Sequence, residues 1–305
     1  MPNKCIIIDT YGSDKGIKEI IEGTNIVLSA FNDIDFILVG DKNIIEENIN
    51  DLSRIKVIDT TTFISNNDNI INSLFDKPNA SIFLALKELK ENNNAIGLIS
   101  PGNSGAILLG VMKYFKKENN RPCLAALLPN NDDSLICIVD VGATLDCNPQ
   151  QLHNFALLGR DFMANMLNIN NPRVGLLSIG EEPTKGNKLV KDTYQILSND
   201  KNINFIGNVE GNNIFNGICD VLVCDGFTGN QILKTIEGVS SRIIKDIDDI
   251  NIKKQLLNKY DVSNLGGGLY LGIDKPVIKL RGNSSKEAIY NVSRLLINGK
   301  YWLNQ

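Results

Sequence analysis

The stretch "GLISPGNSGAILLGV", residues 97–111, decides the fold of this chain. Two apolar runs flank the polar residues 100–105, which include two glycines, an amide and two hydroxyl groups. The first run is short and β-rich, whereas the second has the spacing of a helix. The stretch therefore predicts a buried strand, a glycine turn and a helix, and this pattern recurs along the chain.

Seven other β-rich runs end at a glycine or an acid, and they begin at residues 5, 36, 56, 135, 174, 205 and 220. Helical periodicity lies between them, over 15–31, 80–92, 105–119, 149–167, 185–200 and 230–247. Most of the β-rich runs are continuously apolar, as expected for strands covered on both faces. We predict a three-layer α/β/α architecture with a mostly parallel mixed sheet. Residues 1–305 form either one domain or two intertwined α/β subdomains.

The composition is that of an ordinary globular protein. Hydrophobic residues make up 43% of the chain, and the net charge of −4 with no long basic run argues against a nucleic-acid partner. None of the six cysteines forms a C-x-x-C pair, so we expect free thiols and no metal cluster. The chain enters a strand at once and has no apolar run of about 18 residues, so we expect a cytoplasmic protein.

The loop at 102–105 is a candidate anion site. Ligands of open parallel sheets bind beyond the carboxyl ends of the strands, where this loop is expected to lie. Gly102 and Gly105 allow the backbone to approach a ligand, and the helix that follows presents unpaired N–H groups to an anion. Asn103 and Ser104 add polar side chains. The same loop also fits a capped turn that binds nothing.

A second loop, "SIGEEPTKGNKLVK" (178–191), places Lys185 close to the start of a predicted helix. A cation is unfavourable there unless an anion compensates it, so Lys185 with Gly186 and Asn187 indicates a bound phosphate or carboxylate. An exposed loop lysine fits equally well.

Two further loops place an acid at the end of a strand, Asp140 in "VDVGATLDCNP" (139–149) and Asp225 in "VCDGFTGNQILK" (223–234). We expect Asp140 to order the neighbouring loops or to bind a ligand. No second carboxylate lies at ligand spacing from Asp225, so we expect no metal site there.

The chain has a single histidine, His153, in a predicted amphipathic helix where a packing or surface role is expected. Serine–histidine and cysteine–histidine catalysis are therefore disfavoured, and a reaction without a strong general base is favoured. Phosphate is already an anionic nucleophile near neutral pH, and a thiol of pKa about 8.5 leaves without prior protonation. Such a reaction depends on positioning and on stabilising an oxyanion.

Over nearly its whole length the chain resembles the phosphate acyltransferases of bacterial phospholipid synthesis, the PlsX family. The strings that carry the resemblance are "DVGATLDCNPQQL", "GEEPTKGN", "GNVEG", "VCDGFTGN" and "PVIKLRGNSS". The resemblance implies transfer of a fatty acyl group from acyl carrier protein to inorganic phosphate, without a cofactor. It also implies a homodimer with a fold like the isocitrate and isopropylmalate dehydrogenases and the phosphotransacetylases.

On this basis we expect catalytic roles for Asn103, Lys185, Asn187 and Asp225. We expect phosphate or substrate contacts from Asp9, Gly12, Asp14, Lys15, Gly102, Ser104, Gly105, Asp140, Gly186, Asn230, Lys279 and Arg281.

Two loops depart from the family pattern. The family's first loop resembles D-A-M-G-G-D-H and its late loop K-A-H-G-S-S, whereas Lys15 and Arg281 stand at the histidine positions here. If those histidines only hold phosphate, the two fixed cations can replace them. If either histidine transfers a proton, activity falls or disappears.

The family's peripheral membrane contact is expected to be weak or absent here. The matching region, 240–268, is rich in charge, and its acids oppose docking on anionic lipid. Its aliphatic residues are expected to form a dimer-packing stripe, namely Ile243, Ile244, Ile247, Ile250, Leu256 and Leu257. Two alternatives stay open, an enzyme for a short acyl-CoA and a non-catalytic paralogue that binds acyl carrier protein. A nicotinamide dehydrogenase is disfavoured, because no G-x-G-x-x-G follows a strand.

Overall fold

The computed structural model describes residues 3–115, 121–132, 134–253, 256 and 267–298. The chain divides into two compact units. Unit 1 comprises Met1–Glu118 and Ser263–Gln305, and unit 2 comprises Asn119–Val262. Unit 1 is therefore built from two separate chain segments, between which unit 2 is inserted.

The strands are β1 (Lys4–Asp9), β2 (Ile34–Gly40), β3 (Ile55–Asp59), β4 (Ala95–Ser100), β5 (Cys123–Pro129), β6 (Leu135–Val139), β7 (Arg173–Ser178), β8 (Asn204–Glu210), β9 (Val221–Val223), β10 (Gly268–Leu271) and β11 (Val277–Lys279). The helices are α1 (Ile17–Ala30), α2 (Lys42–Asn48), α3 (Ser73–Asp76), α4 (Ser81–Glu91), α5 (Ser104–Phe115), α6 (Pro149–Leu167), α7 (Lys188–Asn199), α8 (Gly226–Lys245) and α9 (Lys286–Ile297).

The sheet of unit 1 has the strand order β3-β2-β1-β4-β11-β10. All neighbouring pairs are parallel except β10 and β11. Residues 5–9 of β1 are all buried, so both faces of the sheet are covered. Helix α4 packs on β1, β2 and β4, whereas α9 packs on β4 and against α1.

The sheet of unit 2 has the order β5-β6-β9-β7-β8, in which only the β5–β6 pair is antiparallel. Helix α6 packs on β6, β9 and β7, and α7 packs on α6 and β8. A Cβ at Gly159 of α6 would lie 2.6 Å from Val221, so the missing side chain lets this helix approach the sheet closely.

Both units confirm the predicted α/β class with mostly parallel mixed strands flanked by helices. In each unit the carboxyl ends of the parallel strands carry the polar loops that the sequence singles out. Among the described residues, no helix is both long and apolar enough to cross a membrane.

Candidate functional site

A polar cavity of about 760 Å³ lies in unit 1, where β1, β4 and β11 end. These three strands are consecutive neighbours in the sheet and run parallel, so the loops that follow them meet at one edge. The polar cavity is lined by residues 10–14, 16, 17, 63–66, 101–105, 279 and 282. The sequence-predicted residues Gly12, Asp14, Gly102, Asn103, Ser104, Gly105 and Lys279 are therefore brought together.

Glycines bring two of these loops into direct contact. Gly12 has a φ of 102°, which side-chain-bearing residues rarely adopt, and a Cβ there would lie 2.5 Å from the Cα of Gly102. Any other residue at position 12 would push the loop after β1 away from the loop after β4. The shape of the polar cavity thus depends on this glycine pair.

Asp9 lies beneath the same loops and is 1% exposed. Its carboxylate accepts hydrogen bonds from Ser100 Oγ at 2.7 Å and from the Tyr11 N–H at 3.3 Å. Burial raises the pKa of Asp9 to about 6, and the hydrogen bonds and the charge of Lys279 only partly oppose that shift. Asp9 does not line the polar cavity; in this structure it orders the loops that do.

Two helices begin at the polar cavity. Gly16 and Ile17 at the start of α1 line it, and no side chain caps that helix end. Ser104 and Gly105 line it at the start of α5, where Asn103 Oδ1 accepts from the N–H groups of Gly105 and Ala106 at 2.9 and 3.1 Å. Helix N-termini carry partial positive charge, so both favour an anion in this cavity.

Lys279 supplies a cation to the polar cavity. It ends β11, and its ammonium donates to the carbonyl oxygens of Pro101, at 3.3 Å, and of Leu280. These contacts hold the charge beside the start of α5. A positive side chain and two helix N-termini therefore act on one space.

Sequence reasoning missed the wall formed by residues 63–66. Tyr11 stacks on Phe63 with ring centroids 4.9 Å apart, and Phe63 is 41% exposed. Asp68 fixes this segment by accepting from the N–H and Oγ of Ser65, at 2.7 and 2.9 Å, and from Lys77 Nζ at 2.8 Å. No motif marks the segment in the sequence, and only the folded chain brings it to the loop after β1.

The two residues at the family's histidine positions lie outside the lining of the polar cavity. Lys15 is exposed and pairs with Glu19 at 3.6 Å. The backbone N–H of Arg281 donates to Ser284 Oγ at 3.1 Å, which shapes the turn after β11. Asp14 does line the cavity, and its N–H donates to the carbonyl of Gly282 at 2.7 Å.

A second space, the aliphatic cavity, occupies about 440 Å³ in unit 2 beside the ends of β7 and β9. It contains the predicted residues Gly186, Asn187 and Asp225. Asn187 caps α7 by accepting from the Val190 N–H at 2.9 Å. Asp225 caps α8 by accepting from the N–H and the Oγ1 of Thr228, at 2.9 and 2.7 Å. Both side chains thus hold helix ends at this cavity.

Lys185, Asp140 and Asn230 lie outside the lining of the aliphatic cavity. Lys185 is exposed on the loop before α7. Asp140 is buried and accepts from the N–H groups of residues 124, 142, 143 and 144, at 2.8, 3.3, 3.1 and 2.6 Å. Asn230 Nδ2 donates to the Val141 carbonyl at 3.3 Å. In this structure, Asp140 and Asn230 organise the loop after β6.

The cysteines are unsuited to nucleophilic catalysis. All six are free thiols, and five of them are buried. Burial raises the pKa of each one, to about 12 for Cys147 and Cys219. They stay protonated at neutral pH, whereas the thiolate is the reactive form. Within the described part of the chain, no group of three or more His, Cys, Asp or Glu residues is placed to hold a metal ion.

A family model described as "Fatty acid synthesis protein" matches residues 5–295. The chain belongs to this family. Among its relatives, the "Phosphate acyltransferase" of Halothermothrix orenii is 38% identical, with 95% of this chain and 93% of the relative covered. The "Phosphate acyltransferase" of Latilactobacillus sakei is 37% identical, with 93% and 90% covered. The predicted family is confirmed.

Solved structures confirm the predicted type of fold. A phosphotransacetylase from Streptococcus pyogenes matches with a TM-score of 0.65 at 15% identity, covering 97% of this chain and 95% of that chain. A 4-hydroxythreonine-4-phosphate dehydrogenase from Burkholderia phymatum matches with a TM-score of 0.52 at 12% identity, covering 99% of both chains. At such low identity the likeness concerns the fold alone.

Proposed function

We propose that this family member is an enzyme that transfers a fatty acyl group from acyl carrier protein to inorganic phosphate and releases acyl phosphate. The observation that carries the proposal is the polar cavity, in which Lys279 and the starts of α1 and α5 favour an anion. The relatives named phosphate acyltransferase supply the reaction type. The free thiols fit a reducing compartment, which supports a cytoplasmic enzyme.

The proposed reaction needs no nucleophile from the protein. A phosphate oxygen attacks the thioester carbonyl, a C–O bond forms, the C–S bond breaks, and the thiolate takes a proton from water. Phosphate is anionic near neutral pH, and the thiolate is a good leaving group. The protein's part is to position the two substrates and to stabilise the oxyanion.

We assign the proposed residue roles separately for the polar cavity and the aliphatic cavity. Ser104 and Lys279, together with the starts of α1 and α5, are proposed to hold phosphate in unit 1. Asn103 keeps α5 capped there. In unit 2 the proposed substrate contacts come from Lys185, Gly186, Asn187 and Asp225, of which the last three line the aliphatic cavity.

The activity test uses purified full-length protein, acyl carrier protein loaded with a long acyl chain, and phosphate. Hydroxylamine traps acyl phosphate as a hydroxamate, and we expect a signal that depends on both substrates. Turnover of butyryl-CoA without turnover of the long-chain substrate would instead indicate a short-chain enzyme. No product from either substrate would contradict the proposal and favour a binding protein.

Variants of Asn187 separate a substrate contact from helix capping. Asn187→Ser keeps a capping hydroxyl for the N–H of Val190, whereas Asn187→Ala removes the cap as well. If Asn187 contacts substrate, both variants lose activity while only Asn187→Ala loses stability. Full activity in Asn187→Ser would limit this residue to the cap.

We also propose a homodimer that packs through α8. Ile236, Val239 and Ile243 lie three and four residues apart and form one stripe on this helix. Val239 is 54% exposed and Ile243 is 58% exposed, so the stripe lacks cover within the described chain. Covering an exposed aliphatic stripe is favourable, which supports a second copy as its partner.

We also propose that the protein contacts membranes weakly or not at all. The relevant region, 240–268, lies partly outside the described residues, including Leu257 and the sequence to 266. Its described part carries Asp246, Asp248 and Asp249, all exposed, which oppose docking on anionic lipid.

A further inference from the structure

The walls of the aliphatic cavity in unit 2 come from four elements. These walls consist of leucine, isoleucine and valine side chains from α6, β7, α7 and α8. They include Leu152, Leu176, Leu189, Val190 and Ile232. Asp225 is the one charged side chain among the described lining residues, and its carboxylate oxygens accept from Thr228. The cavity therefore offers a large apolar surface, and few of its groups could bind a charged ligand.

Its polar groups lie where β7 and β9 end and α7 and α8 begin. They are Ser178, Asn187, Asp225 and Thr228. The Oγ of Ser178 is buried and has no hydrogen-bond partner in the described chain. A buried hydroxyl without a partner is unfavourable, so a ligand that accepts a hydrogen bond from it would be stabilised. The cavity thus combines an aliphatic wall with a polar end.

We propose that the aliphatic cavity binds the hydrocarbon chain of the acyl substrate, with the carbonyl group at the end formed by Ser178 and Asn187. This inference rests on the proposed acyl transfer and adds the site that recognises the chain. A volume of about 440 Å³ falls within the range typical of small-molecule pockets. Burial of each methylene strengthens binding roughly fourfold, so this wall selects long chains over short ones.

The first test fills the cavity from α7. Val190 is half-buried and lines it, whereas Gln195 lies exposed on the same helix. Val190→Trp removes space for several methylenes, and losing two of them costs roughly 16-fold. We therefore expect the ratio of kcat/KM for hexadecanoyl over butyryl substrates to fall at least tenfold in Val190→Trp. The matched control Gln195→Trp should keep the wild-type ratio.

The second test measures binding without turnover. A fluorescent long-chain fatty acid is titrated into the wild-type protein, Val190→Trp and Gln195→Trp. A second filling variant, Ile232→Trp on α8, serves if thermal unfolding shows that Val190→Trp is not folded. We expect saturable binding by the wild type and the control, and at least tenfold weaker binding by a folded filling variant.

The outcomes separate this inference from the proposed function. An active enzyme whose chain-length ratio and fatty-acid affinity are unchanged in a folded filling variant would overturn the inference and leave acyl transfer intact. A wild type that turns over no acyl substrate would defeat the proposed function. Saturable fatty-acid binding that the filling variants weaken would still support the cavity assignment.

Discussion

At the scale of single residues, Asp9 shows how the polar cavity is held together. A carboxyl group that is 1% exposed ties the end of β1 to Ser100 at the end of β4. Burial makes its charged form unfavourable, and the pKa rises to about 6. Asp9 orders the loops above it, but its ionised form loses stability because the carboxylate is removed from water.

This cost predicts a specific pH dependence. Because the pKa of Asp9 is higher in the folded chain than its ordinary value of 3.8, the folded state binds more protons between about pH 4 and 6. The free energy of unfolding contributed by Asp9 therefore falls as pH rises through this window, by about 3 kcal/mol at most. Urea unfolding at several pH values should show this fall in the wild type relative to Asp9→Asn. Parallel pH profiles for the two proteins would contradict it.

Lys279 allows a direct test of phosphate binding. Lys279→Gln removes the charge but keeps hydrogen-bond donors for the carbonyls of Pro101 and Leu280. Loss of a charge-assisted hydrogen bond costs about 1.5–3 kcal/mol, so we expect the KM for phosphate to rise ten- to hundredfold. Lys18→Gln, an exposed lysine of α1 outside the cavity, is the matched control. Equal KM values in both variants would remove Lys279 from the site.

Local sequence signals predicted some of these residues and had no way to predict others. Asn103, Asn187 and Asp225 stand between a strand and a helix, and the structure shows each as a helix cap. Capping by itself explains the pattern that suggested catalysis, so their catalytic roles stay predictions. Phe63 reaches the polar cavity only through tertiary contacts, which no short motif records.

At the scale of elements, the sequence predicts α6 over its full range, whereas the range predicted for α8, 230–247, misses the first turn of the helix. The range of α6 follows from Pro149 at its first turn and from a capping box between Asn148 and Gln151. Strands β5, β10 and β11 lie outside the β-rich runs that the sequence indicates, and β10 and β11 have only four and three residues. Strand β11 is nevertheless the element that carries Lys279 into the polar cavity.

The only histidine joins two helices. His153 Nε2 of α6 lies 2.7 Å from Oδ2 of Asp200, which ends α7. We expect His153→Ala to lower the free energy of unfolding by about 1 kcal/mol, since a partly exposed hydrogen bond is lost. A double-mutant cycle with Asp200→Ala, in which urea unfolding measures the free energy of unfolding of each variant, gives the interaction energy of the His153–Asp200 pair. Additive effects of the two substitutions would show that the contact contributes nothing.

At the scale of the whole molecule, the stripe on α8 predicts the oligomeric state. Ile243→Glu places a charge on the proposed interface, and burying an unpaired charge is costly, so we expect monomers. Ser241→Glu, exposed two residues earlier on the same helix, should leave the dimer intact. Light scattering after size-exclusion chromatography measures the mass. A wild-type monomer, or a dimer that persists in Ile243→Glu, would contradict the interface.

The interrupted course of unit 1 has a consequence for synthesis on the ribosome. Unit 2 is one continuous segment, whereas the sheet of unit 1 needs strands from both sides of it. Domains fold as their segments emerge, so the inserted half can complete its core while the earlier half still waits for its last strands. Lys279 emerges late, on one of those strands. A nascent chain halted before that point would already contain the folded aliphatic cavity of unit 2. It would lack the positive charge of Lys279 that favours an anion in the polar cavity.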